Sequence, residues 1–205
     1  MARVKLVKKR QVIDMTAMVD VAFLLLTFLI LTAQPKETEI LPVDVPSSIV
    51  SAGVPDDALI ITVGDNGKAT LRIKDKSIRK KTLEKMAAKY GILFKEKEKN
   101  SFEGMEVFGS PLNQINHLLS LTPIEMEKMK HAGIPTDSIG KMPSELFNWV
   151  IEARHTAKEI HFKELQVAIK ADGNENYTHV KKIIDILQSQ KINRFSLVTN
   201  LKTKL

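Results

Sequence analysis

Residues 17–33 read AMVDVAFLLLTFLILTA, and no other stretch of the 205-residue chain runs as far with so little charge. Extended back to Met15, the run is about 19 residues, roughly 28 Å as a helix, close to the hydrocarbon thickness of a bilayer. Its apolar side chains go all the way round, where a helix on a soluble core shows a single stripe. The expectation is one transmembrane helix over 15–33. Arg3, Lys5, Lys8, Lys9 and Arg10 precede it with Asp14 opposing them, and Lys36, Glu37 and Glu39 follow. This asymmetry puts the basic tail, 1–14, in the cytoplasm and the rest of the chain on the other side. A cleaved signal peptide fits less well, because the apolar core holds an aspartate and Leu31-Thr32-Ala33 is a poor cleavage site.

That aspartate is Asp20. An ionisable group in a span costs on the order of 2.5–3.5 kcal/mol at the centre, somewhat less near an end, and usually faces a protein interior or a wet cavity. A carboxyl taken out of water favours its neutral form, so it can bind and release a proton. Thr16, four residues earlier, and Thr27, seven later, share the face of Asp20. The candidate site is therefore Asp20 as proton carrier with Thr16 and Thr27 as its polar support. The alternative is a carboxylate that snorkels to interfacial water, with Thr27 bonded to its own backbone. One helix cannot wall a proton path, so a second subunit and self-association are implied.

Residues 34–56 contain Pro35, Pro42, Pro46 and Pro55 and read as an extended linker or edge strand. Within it Leu41, Pro42, Val43, Asp44, Val45 and Pro46 alternate apolar with polar or proline, a pattern able to add to a sheet in a partner. Beyond it, ALIITV (58–63) and ATLRI (69–73) alternate about Asn66-Gly67, a hairpin signal. Ser77 is placed to cap a helix over 77–90. The middle reads as helical. Leu112, Ile115, Leu118 and Leu119 share one face, and Thr122-Pro123-Ile124-Glu125 opens a second short helix that Gly133 ends. A third helix is expected over about 144–158. The chain then returns to strand (165–171), a helix capped by Asn174 or Asn176, and strand (194–199). That order implies a right-handed parallel crossover. The predicted fold is a single N-terminal transmembrane helix followed by a small α+β domain, a sheet plus helices ending strand–helix–strand. Residues 57–90 and 161–205 form that domain and 91–160 a helical insertion.

Chemistry of other kinds finds no support. Without cysteine there is no disulfide framework, thiolate metal site or thiol nucleophile. DGNENYTHV (172–180) begins like a calcium loop, but Tyr177 stands at the turn glycine and Ile183 at the twelfth position. Gly104…Gly109-Ser110 lacks the Lys-Ser/Thr of a P-loop. No constellation supports an enzyme, a metal or a cofactor. Of the net charge of +7, residues 1–16 carry +4, and the excess of the rest is concentrated in 74–103, where ten Lys/Arg meet five Asp/Glu. That stretch is read either as a solvated face or as a contact for lipid headgroups or cell-wall polymer. Nucleic acid is excluded as a partner, since the basic residues lack interleaved aromatics.

Two stretches in order resemble the ExbD/TolR family of bacterial energy-transducing proteins. One is DMTAMVDVAFLLLTF (14–28), although Ala17 stands where many members have Pro. The other is IKAD-x4-Y-x2-V…INRFSLVT (169–199), and LPVDVP (41–46) is similar to the family's segment just outside the membrane. The resemblance implies that Asp20 is the protonatable aspartate and Thr27 a polar position on its face. It implies a homodimer inside a pentameric ring of ExbB/TolQ/MotA-like polytopic subunits at the inner membrane. Protons are then the coupling ion, with no cofactor. The periplasmic domain would energise a TonB-like periplasm-spanning protein and outer-membrane transport, with peptidoglycan a further candidate partner. The alternatives are a TolR-like or gliding-type motor, or an anchored cell-wall-binding module without a proton role.

Overall fold

The alternating residues of 59–64 bury Leu59, Ile61 and Val63 while Ile60 and Thr62 stay partly exposed, as a strand with one face on a core requires. In the computed structural model this is the central strand, β2 (Leu59–Gly64). The structure describes residues 15–33, 41–48, 55, 57–121, 125, 131–138, 140, 142–198 and 200–201. The chain divides into two units, Met1–Glu37 and Thr38–Leu205.

The first unit contains one described helix, α1 (Thr16–Thr32), of 17 residues. It starts after Met15, which makes no side-chain cap, and stops where Ala33 turns extended at ψ 108°. At 1.5 Å per residue it is about 26 Å long, short of a hydrocarbon core of about 30 Å. Among the described residues, no helix is long and apolar enough to cross a membrane. The expected transmembrane helix over 15–33 is thereby corrected: the apolar run is present, but its helix is shorter. The basic tail 1–14 and most of the linker outside 41–48 lie outside the described residues.

In the second unit, β2 pairs antiparallel with β3 (Lys68–Arg72) through a turn in which Asp65, Asn66 and Gly67 all have positive φ. Gly67, at φ 83°, is the residue that adopts this at no steric cost. On its other side β2 pairs in parallel with β5 (Val167–Ala171), and β5 in parallel with β6 (Phe195–Val198). A two-residue strand, β4 (Val107–Phe108), closes the β3 edge, so the sheet order is β4-β3-β2-β5-β6. A separate parallel pair joins β1 (Ser47–Ser48) to β7 (Asn200–Leu201).

Among the described residues, five helices complete the unit: α2 (Lys76–Tyr90), α3 (Glu96–Gly104), α4 (Leu112–Ser120), α5 (Glu145–His161) and α6 (Tyr177–Ser189). The cap of α2 is Asp75 in place of the expected Ser77; its carboxylate accepts from the Ile78 N–H at 3.0 Å. Ser144 caps α5 and Asn176 caps α6. The helix expected from Thr122 to Gly133 falls largely outside the described residues.

Between 91 and 160 the chain is more than helical, because it supplies the edge strand β4 and places Phe102, Phe108, Leu112 and Trp149 in the same core as Leu59, Ile61, Leu71 and Ile169. The rings of Phe102, Phe108 and Trp149 meet at centroid distances of 4.8–6.0 Å. Trp149 also donates its indole N–H to Glu145 at 3.1 Å, satisfying a polar group that burial would otherwise strand.

Candidate functional site

On α1 the spacing from Thr16 to Asp20 to Thr27 keeps all three within about 40° of one face. Asp20 is exposed, and among the described residues it makes no hydrogen bond or ion pair. No residue of α1 is buried, and Val19, Phe23, Leu24 and Phe28 are exposed apolar neighbours of the stripe. The Thr27 hydroxyl donates back to the Phe23 and Leu24 carbonyls at 3.0 and 2.9 Å. Thr32 does the same to Phe28 at 2.8 Å. Bonded in this way, the Thr27 oxygen keeps lone pairs to accept from outside the helix but has used its proton. The stripe therefore presents a carboxylate and an acceptor oxygen on a helix whose other side chains, Thr16 and Thr32 aside, are apolar.

The second candidate group, 41–46, lies in the other unit, against the end of the sheet where β2 and β5 finish. Leu41, Val43 and Val45 are half-buried and Pro42, Asp44 and Pro46 exposed, so the alternation is used within the chain itself. The Gly173 N–H donates to the Asp44 carbonyl at 2.7 Å, and the Asp44 N–H donates to Asp172 Oδ2 at 3.3 Å. A Cβ on Gly64 would sit 2.7 Å from Val43 Cγ1, so glycine there permits the close approach. From Pro46 the chain runs into β1 and its pairing with β7.

The loop that receives this strap is itself tied down. Asp172 Oδ1 accepts from the Asn174 N–H at 2.9 Å, and the Asp172 N–H donates to Val63 at 3.0 Å. Three residues after Asp172, Glu175 lies 2.6 Å from His179 Nδ1. Burial pushes the Glu175 carboxyl up, but bonds from His179, Gly67 N–H and Asn176 N–H outweigh it and hold it below its ordinary value. The hairpin turn, the β5–α6 loop and the strap thus form one hydrogen-bonded end of the domain. Sequence reasoning missed Asp172 and Gly173 as the strap's receptors. Their signal, the turn-forming Asp-Gly-Asn, was visible but pointed to no partner.

Among the described residues, no group of three or more His, Asp or Glu is placed to hold a metal. The family model described as biopolymer transport protein ExbD/TolR matches residues 8–202. The chain belongs to the ExbD/TolR family. No curated protein and no solved structure matches it. As an ExbD/TolR protein it has a role in energising biopolymer transport. Proteins of this family work with ExbB/TolQ-type partners, and its members are not enzymes. Membership also implies anchoring at the inner membrane, although no described helix of this ExbD/TolR chain has the length and apolarity of a span.

Proposed function

We propose that this chain is the proton-handling subunit of an ExbB–ExbD type complex that energises TonB-dependent outer-membrane transport. In this reading Asp20 takes up and releases protons while α1 packs among the helices of a pentameric polytopic partner, beside α1 of a second copy. The observation that carries the reading is Asp20 itself, an exposed, unpaired carboxylate on an otherwise apolar helix in a chain matched to the family over 8–202. Neutral Asp20 suits an apolar wall, whereas charged Asp20 requires a polar site, so each protonation changes which surface of the ring it prefers. A charge moved through 100 mV releases about 2.3 kcal/mol, enough to drive such a change of environment. Thr16 and Thr27 support the polar site. The segment 41–46, held by Asp172 and Gly173, carries the motion to the α+β domain, and that domain engages a TonB-like periplasm-spanning partner.

The test compares wild type with Asp20→Asn, co-purified with the genomically adjacent polytopic protein, and scores growth on a nutrient imported across the outer membrane. The expected result is intact complex with both and lost growth with the variant alone. Normal growth of the variant would contradict the proton role.

A further inference from the structure

The basic stretch 74–103 is largely neutralised by its neighbours. Lys81 and Lys85 both reach Glu159, at 3.0 and 2.5 Å, Lys89 reaches Glu152, and Lys99 lies between Glu84 and Glu96. A second group of cations shares a concave site elsewhere. Where β5 and β6 begin, a cleft of about 720 Å³ is lined by Arg154 of α5 and by Lys191 and Arg194 of the turn that leads into β6. Among the described residues Glu164 is the single carboxylate in that lining, 3.5 Å from Arg154 Nη2. Lys191 and Arg194 are exposed, and among the described residues their side chains make no hydrogen bond or ion pair. Arg154 Nε is buried without an acceptor. The floor is apolar, formed by the buried Leu165, Val167 and Ile192.

Three cations converging on one concave site with one carboxylate among them leave two positive charges uncompensated, and the unsatisfied Nε of one of the three, Arg154, adds hydrogen-bond demand. Like charges so placed repel, and a concave low-dielectric wall strengthens their field. An oxyanion relieves both, because guanidinium and ammonium groups donate to carboxylate and phosphate oxygens with charge-assisted bonds. We infer that this cleft binds a small ligand bearing a carboxylate or phosphate group. The oxyanion meets Arg154, Lys191 and Arg194, and the aliphatic part lies on Leu165 and Ile192. The site is independent of Asp20 and stands whether or not Asp20 handles protons.

The test is a titration of the full-length, isotopically labelled chain at constant ionic strength. Sodium phosphate, glycerol phosphate and sodium glutarate are added separately while backbone amide resonances are followed. The expected result is saturable shifts at Gln166, Ile192, Asn193, Arg194 and Ser196 with at least one of these anions. Binding should weaken at least tenfold in Arg194→Glu and in Lys191→Glu, and stay unchanged in Lys97→Glu, which alters an exposed lysine on α3. Tightest binding of glycerol phosphate assigns a lipid-headgroup source, of inorganic phosphate a soluble phosphate, and of glutarate a carboxylate ligand. Absence of saturable shifts in the cleft with all three anions, or shifts that survive Arg194→Glu, would overturn the inference.

Discussion

Glu145 sits at the first turn of α5 with one oxygen accepting twice, from the Leu112 N–H at 2.8 Å and from the Trp149 indole at 3.1 Å. Burial pushes its carboxyl up, and those two bonds act against the rise. The Leu112 N–H is one of the donors at the start of α4 that the helix itself cannot satisfy, so Glu145 caps one helix from another. Glu145→Ala would leave both donors stranded at a cost of about 1–3 kcal/mol. Chemical denaturation should show this as a lower midpoint, with Glu145→Gln losing less because it keeps an acceptor oxygen. An unchanged midpoint in the alanine variant would show that water replaces the carboxylate at no cost.

At the scale of elements, α2 and α5 run antiparallel and are laced by Glu159, whose carboxylate lies between Lys85 and Lys81. Hydrogen bonds from these two lysines lower its pKa to about 2. A carboxyl depressed on folding contributes stability that is fully present above its unfolded value of about 4.5 and is lost as pH falls through the folded value. The stability difference between wild type and Glu159→Gln should therefore be flat from pH 7 to about 5 and shrink between about 4.5 and 2. Denaturation midpoints across that range check it. A difference that persists unchanged to the acid end would exclude the ion pairs as its source. The charge is solvent-exposed, so the effect is small.

Which elements were readable follows from how local their causes are. The alternation of 58–63 and 69–73, with Asn66-Gly67 between, is a local pattern, and β2 and β3 appear within one residue of it. The helices α4, α5 and α6 have their apolar faces written at helical spacing. β4 has no such signature: two residues make it a strand because Leu71 and Arg72 stand opposite Phe108 and Val107. Both Asp75 and Ser77 are good caps; His161, 2.9 Å from Asp75 Oδ2, is a contact from 86 residues away that accompanies the choice of Asp75. The α1 stripe was legible from spacing alone. The anion cleft was not, because residues 154, 191 and 194 converge only once α5 and β6 are laid against β5.

For the whole domain, the consequence of a shared core is cooperativity. Trp149 is fully buried and contacts Phe102 and Phe108, and all three belong to the cluster that also holds the sheet's inner face. Trp149→Ala should cost about 3–5 kcal/mol. It should also lower the stability of the sheet and of the 91–160 helices together, as one transition. Amide exchange on α3 and on β5 measures this. Weakened protection on α3 with β5 unaffected would divide the domain into separate folding units.

Proton movement reads the role proposed for Asp20 most directly. Wild-type and Asp20→Asn chains, each co-purified with the polytopic partner, are reconstituted into vesicles, and acidification of the lumen is followed under an imposed potential. The expected result is potential-driven proton entry with wild type and loss of that signal with Asp20→Asn, in complexes of equal composition. Equal proton entry with both would contradict it.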